Sequence, residues 1–178
     1  MAFVEETIDS EIVYDGPVFK VRKHHVHAVN GGVSTRDVVE HNGGSVMLAV
    51  KDDGKILMVR QFRKALERVM LELPAGKRDP GEDPLETARR ELKEETGYTA
   101  GTVEYMTTMT PSCGYTSEIL NIYLCRDLVP GETHFDETED LDLYEYTADE
   151  LVNMIMENKI QDAKTVIGIL YARTAGMI

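Results

Sequence analysis

The chain has 178 residues, 42% of them hydrophobic and 29% charged, and 32 acidic against 19 basic side chains give a formal net charge of −13 at pH 7. That composition supports a buried core, and it excludes both a disordered chain and broad electrostatic binding to nucleic acid or an anionic membrane, because no Lys/Arg run supplies a compensating basic face. Two cysteines, Cys113 and Cys125, make no disulfide framework, charged residues rather than an apolar leader follow Met1, and no apolar run is long enough to span a bilayer, so a cytoplasmic protein is expected.

In chain order, the first forty or so residues predict short strands at 11–14, 19–29 and 34–40. Gly16-Pro17 and Asn30-Gly31-Gly32 are turns, and the second of these closes a hairpin. The runs 45–50 and 56–59, divided by Asp52-Asp53-Gly54, predict a second hairpin whose strands are apolar enough to be central. After Leu73-Pro74-Ala75-Gly76 comes a helix whose limits follow from single residues. Asp83 is its N-cap, Pro84 takes the first position where no N–H is needed, Glu86 completes a D-x-x-E capping box, and Gly97 ends it. Strands follow at 103–109, 119–125 and 143–146, then helices at 149–157 and 162–173 with Thr147 and Asp162 as caps. This alternation is too irregular for a doubly wound parallel sheet. The expected class is α+β: a mixed sheet flanked by helices over residues 43–178, preceded by a small N-terminal antiparallel β unit over residues 1–42.

On a helical wheel with Glu91 at the origin, Glu95 lies at about 40° and Glu94 at about 300°, while Leu85, Ala88 and Leu92 fall between about 60° and 120°. One side of the helix packs and the neighbouring side presents three carboxylates. Like charges one turn apart cost an isolated helix roughly 0.2–0.5 kcal/mol per pair, so a cation is expected among them. Arg90 is placed to pair with Glu94, which leaves Glu91 and Glu95 free. Clustered hard oxygens of this kind suit Mg²⁺ or Mn²⁺, which bind through a few carboxylates together with substrate phosphate oxygens.

Helices rich in Glu, Lys and Arg are usually only solvated, and a bare E-x-x-E-E carries little by itself. The flanking residues change its weight. From Gly76 the chain runs through Glu82, Arg90-Glu91-Leu92, Glu94-Glu95, Gly97 and Tyr98. This spacing resembles the signature box of the Nudix hydrolases, G-x5-E-x7-R-E-U-x-E-E-x-G-U with U a bulky aliphatic, and eight such matches arise by chance about once in 10⁸ to 10⁹ placements. Tyr98 departs from the usual aliphatic residue, at a position that faces packing. The resemblance implies an α/β/α sandwich and hydrolysis of a nucleoside diphosphate linked to another group. It implies as metal ligands Glu91, Glu95, Glu94 and the main-chain carbonyl of Ala75, holding two or three Mg²⁺ ions, with Arg90 steadying a box carboxylate by its fork.

Beyond the box, the chain resembles bacterial ADP-ribose pyrophosphatases over nearly its whole length. The carriers are the N-terminal strands, Arg36-Asp37-Val38-Val39-Glu40-His41, Arg60-Gln61-Phe62-Arg63, Glu72-Leu73-Pro74-Ala75-Gly76 and Gly114-Tyr115-Thr116-Ser117-Glu118. The resemblance implies a homodimer in which both subunits shape the substrate cleft, and products AMP and ribose 5-phosphate. It also implies a water-activating role for Glu118, with Glu94 as the competing base. A diphosphate in an acidic protein needs arginines aimed inward as well as metal. Arg63 and Arg36 are the candidates, Arg60 lies on the opposite strand face, and Glu72 joins them as substrate-binding. The subfamily's Ser-Pro-Gly turn is replaced by Thr110-Pro111-Ser112-Cys113-Gly114, which keeps another nucleotide sugar open as the substrate. A nucleotide-sugar sensor without turnover is the remaining alternative, although every box carboxylate is present.

Other features weigh less. His24, His25 and His27 lack ligand-spaced partners in the sequence, and Cys113 has no accompanying His motif. Met47, Met58, Met70 and Met109 read as core filler. Phe19, Phe62 and Tyr115 are the aromatic residues available to stack on a base, with packing the simpler reading for each. The segment 131–150 holds nine acids and no Lys or Arg, and reads as a solvated loop and strand edge separate from the carboxylate cluster of the helix.

Overall fold

The computed structural model describes residues 3–133 and 141–178. The chain divides into two compact units: Met1–Gly43 with Thr110–Ile119, and Gly44–Met109 with Leu120–Ile178.

In the first unit, β1 (Glu6–Asp15), β2 (Lys20–His27) and β3 (Val33–Glu40) form an antiparallel sheet in the order β1-β2-β3. The Asn30-Gly31-Gly32 turn closes the predicted hairpin. Gly31 sits at φ 87°, its N–H donates to the Ala28 carbonyl at 2.8 Å, and the Ala28 N–H donates to Gly32 at 2.8 Å. All ten residues of β1 are exposed, and Val26 alone in the three strands is buried. The segment 110–119 belongs to this unit because it pairs with β3: the Val39 N–H donates to Tyr115 O at 2.7 Å and the Ser117 N–H to Val39 O at 2.9 Å. No local pattern announces that pairing, since some seventy residues of chain separate its two sides.

In the second unit, β7 (Ala75–Lys77), β4 (Gly44–Ala49), β9 (Leu120–Pro130) and β8 (Tyr98–Met109) form a mixed sheet in that order, with β4 and β9 parallel. A second sheet has the order β10 (Asp142–Tyr146), β5 (Ile56–Arg63), β6 (Arg68–Glu72) and is antiparallel. The predicted hairpin of 45–50 with 56–59 is therefore corrected. Its strands are central, but they lie in different sheets, tied by one antiparallel bridge between Val50 and Ile56. Continuous burial of apolar side chains identifies an internal strand without naming its neighbour. β6 and β7 are short and are absent from the predicted strands: β6 carries an apolar run of only three residues, Val69-Met70-Leu71, and β7 none.

β4 is buried at every position because both of its faces are covered. Met47 and Ala49 face Ala88 and Leu92 of α1 (Pro84–Thr96), with Leu57, Tyr123 and Cys125 beside them. Val46 and Leu48 face the opposite cluster, where Leu151 of α2 (Ala148–Met156) and Ile169 and Ala172 of α3 (Ala163–Thr174) pack. The four named methionines are buried. Among the acids of 131–150, those at 134–140 lie outside the described residues. Later ones do more than solvate: Glu145 pairs with Lys51 at 2.7 Å, Asp149 with Arg173 at 2.6 Å, and Glu150 closes a capping box with Thr147.

The cap of α1 differs from the predicted box. The Asp83 carboxylate accepts from the Leu85 N–H at 2.9 Å and Gly97 ends the helix at φ 75°, but the reciprocal pair forms at α2 instead. Asp83→Ala is therefore expected to cost about 1 kcal/mol in urea unfolding and Glu86→Ala only a few tenths; equal losses from both would restore the box.

Candidate active site

The acidic face of α1 is organised by Arg90. Its Nε and Nη2 donate to the two carboxylate oxygens of Glu82, each at 3.0 Å, and its Nη1 donates to Glu91 at 2.8 Å and Glu94 at 3.0 Å. One planar cation thus serves three carboxylates. The fork of Arg90, aided by the Asp79 N–H and the Thr87 hydroxyl, holds the Glu82 carboxyl at about 2, well below its usual range. Its bonds to Glu82 foremost, then to Glu91 and Glu94, raise the guanidinium above its own ordinary value.

The expectation that Glu91 and Glu95 stay free is corrected. Glu91 takes its share of Arg90, and the Glu95 carboxylate accepts from the Ala75 N–H at 3.0 Å and is buried. Gly76 makes this approach possible: a Cβ there would stand 1.7 Å from the Glu91 carboxyl carbon. The helix and strand β7 at Ala75-Gly76 therefore meet without intervening side-chain bulk. Lys77 is tied in as well, its carbonyl accepting from Arg90 Nη2 at 3.3 Å. Among the described residues no three His, Cys, Asp or Glu side chains are already drawn together as a metal-sized set. The donors themselves are hard oxygens on one helix face beside a strand whose main chain is kept open by glycine, which fits a small divalent cation.

A second network lies on the same unit. Arg63 Nε and Nη2 fork onto Glu72 at 2.8 and 2.7 Å. Lys164 bonds both Glu72 and Asp162, and Asp162 caps α3 through the Thr165 N–H at 3.0 Å. The Thr165 hydroxyl in turn accepts from the Leu73 N–H at 2.8 Å, so α3 is pinned to the short link between β6 and β7. Glu72 is almost wholly buried. Burial pushes its carboxyl up, but the Arg63 fork and then Lys164 outweigh that and hold it at about 2. Sequence reasoning named Glu72 and Arg63 but missed Lys164, whose partner is distant in the chain and which carries no motif.

The remaining candidates are placed as follows. Arg60 lies over the Tyr144 ring at 5.3 Å and donates to its hydroxyl at 3.1 Å. In the first unit, Arg36 forks onto Glu5 at 2.9 and 2.5 Å, and Glu118 lies 3.7 Å from His41 Nδ1. Phe19, Phe62 and Tyr115 are all exposed rather than core, Phe19 against the Tyr14 ring. His25 has a partner the sequence did not show, Asp9 at 2.6 Å across the β1–β2 pair. Cys113 is exposed, while burial pushes the Cys125 thiol up to about 12. Arg78, within the box loop, has a buried Nε with no hydrogen-bond partner.

The NUDIX domain model matches residues 41–166, and the chain belongs to the Nudix family of hydrolases, which generally use divalent metal ions. It is 42% identical over 171 residues to the methanol dehydrogenase activator of Bacillus methanolicus, covering 95% of this chain and 92% of that one. It is 40% identical over 169 residues to the ADP-ribose pyrophosphatase of Bacillus subtilis (strain 168), covering 94% and 91% of the two chains. The ADP-ribose pyrophosphatase of Mycobacterium tuberculosis is 36% identical over 177 residues, covering 96% and 85%. The crystal structure of an ADP compounds hydrolase shares the fold, with a TM-score of 0.83 at 23% identity over 96% of this chain and 92% of that one. No described helix is long and apolar enough to cross a membrane.

The Glu72 network predicts an acid-sensitive contribution to stability. A carboxyl whose folded pKa lies below the unfolded value of 4.5 stabilises fully above 4.5, and the contribution drains away as pH falls toward 2. On the order of 2–3 kcal/mol is expected from this group across that window. Chemical denaturation of the parent protein and of Glu72→Gln at stepped pH should show the variant less stable at pH 7 and flatter below pH 4.5; parallel profiles would remove Glu72 from the acid response.

Proposed function

We propose that the protein hydrolyses the diphosphate linkage of ADP-ribose to AMP and ribose 5-phosphate with Mg²⁺ as its metal ion. The observation that carries this reading is the gathering of Glu91, Glu94 and Glu95 on one side of α1, beside Arg90 and against Ala75-Gly76 of β7. The likeness to two ADP-ribose pyrophosphatases supports the choice of substrate. Glu91, Glu94, Glu95 and the Ala75 carbonyl would hold two or three ions. A bound divalent cation supplies charge neutralisation at the diphosphate and lowers the pKa of a coordinated water.

The chain's own residues then do the following. Arg90 keeps Glu91 and Glu94 from repelling each other while substrate is absent. Arg63, Arg36, Arg60 and Glu72 are assigned to substrate binding; Arg63 and Arg36 each hold a carboxylate that a phosphate would compete with. Glu118 takes the proton from the attacking water, which adds in line at phosphorus as the opposite P–O bond breaks and the leaving phosphate departs. Glu94 is the alternative base. A related nucleotide sugar remains the second substrate, on account of the Thr110–Gly114 turn. The likeness to a methanol dehydrogenase activator favours a further reading, in which the protein raises the rate of such a dehydrogenase.

A homodimer in the cytoplasm is the proposed state. Phe3, Val4, Ile8, Ile12, Val13 and Tyr14 are exposed along and before β1, an edge strand that needs cover. Static light scattering of the purified chain should return twice its own mass, and a monomer at micromolar concentration would overturn the dimer.

Purified protein incubated with Mg²⁺ and a panel of nucleoside diphosphate sugars is expected to turn over ADP-ribose best, with products identified by chromatography. Silence across the whole panel would sink the enzymatic reading, and preference for a GDP-sugar would move the substrate. Glu118→Gln is expected to lower kcat by at least ~10²-fold with KM little changed, the pattern of a lost general base. Near-normal turnover would transfer the role to Glu94.

A further inference from the structure

His41 stands in the segment that ends β3, and nothing above gives it a task. It lies where the chain grips the loop carrying Glu118. The main-chain pairing of Val39 with Tyr115 and Ser117 is extended by His41, whose N–H donates to the Ser117 hydroxyl at 3.0 Å. Gly43 follows at φ 81°, and a Cβ there would come within 2.4 Å of the Ile119 carbonyl oxygen. The segment 39–43 thus lies flush against 115–119, with the His41 side chain mostly buried between them at 13% exposure. Glu118 itself is held at its main chain, its N–H donating to the Thr116 hydroxyl at 3.1 Å.

The state of the imidazole follows from its partner. His41 Nδ1 accepts the Gly43 N–H at 3.0 Å, so Nδ1 bears no proton, Nε2 bears it, and the ring is neutral. Nδ1 is also 3.7 Å from Glu118 Oε1, too far for a hydrogen bond and without a proton to share. The carboxylate therefore has a rigid neutral edge beside it rather than a cation. A cation there would favour the ionised carboxylate and weaken it as a proton acceptor. A flexible side chain would let the carboxylate swing.

We propose that His41 is a positioning residue for Glu118: a neutral imidazole, locked by the Gly43 N–H, that confines the carboxylate without neutralising it. This rests on Glu118 being the water-activating base. His41→Phe keeps the bulk and loses the acceptor, whereas His41→Asn returns an oxygen that can accept from Gly43. Steady-state kinetics on the best nucleoside diphosphate sugar should show kcat of His41→Phe down ~10- to 100-fold with KM within about threefold, and His41→Asn recovering to within about fivefold of the parent. In the Glu118→Gln background, His41→Phe should add less than about twofold, because the group it positions is already gone. Unchanged kcat in His41→Phe, or a full additive loss on Glu118→Gln, overturns the positioning role. Near-normal turnover of Glu118→Gln alone overturns the base reading instead. Nitrogen NMR of the parent protein is independent of how the variants fold: Nε2–H at neutral pH is the expected tautomer, and Nδ1–H overturns the proposal.

Discussion

The second unit depends on one guanidinium that serves three carboxylates, two of them forced together by its own helix. Glu91, Glu94 and Glu95 fall on adjacent turns, where mutual repulsion destabilises the helix. Arg90 offsets this by donating to Glu91 and Glu94 from one nitrogen while its other two nitrogens clamp Glu82. Because Glu82 precedes the helix, the same side chain also pulls the 77–82 loop onto it. A lysine would neutralise charge here but would lack the fork that fixes the loop.

Strand β7 has to be where the carboxylates are, and the sheet puts it there. β7 is the edge strand beside β4, and β4 is clamped on both faces by helices, so its position is set by packing on two sides. Glu95 then reaches the Ala75 N–H, and Gly76 lets the Glu91 carboxyl lie against the main chain. Ahead of β7, the network from Glu72 through Lys164 and Asp162 to Thr165 secures the end of β6 to the start of α3. The price of burying Glu72 is met by two cations, so the network is stiff only while that carboxyl stays ionised.

The first unit obeys a different logic. Its three strands bury little, and its best-defined internal contact is the grip of residues 39–43 on 115–119. Two main-chain bonds, a serine hydroxyl and a glycine that lets the chain pass Ile119 fix the stem of the loop bearing Glu118. That is economical because a loop tied at its base needs little core of its own.

Much of this was legible from sequence because its causes are local. Asp83, Pro84 and Gly97 delimit α1 by satisfying or avoiding main-chain hydrogen bonds within a few residues of themselves, and Asn30-Gly31-Gly32 closes a turn by supplying a positive φ. The spacing of the box glutamates sets their common face by helix geometry alone. Partners are another matter. Alternation and apolar runs show that β4 and β5 are internal, yet only assembly assigned them to separate sheets, since an apolar run does not name the strand that pairs with it. The engagement of Glu91 and Glu95, the Lys164–Glu72 pair and the docking of 110–119 on β3 join residues that only folding brings together. The sequence alone determined which groups could do the chemistry; the tertiary structure decided which of them are held and by what, because a hydrogen bond or ion pair is specified by distance in space and only incidentally by distance along the chain.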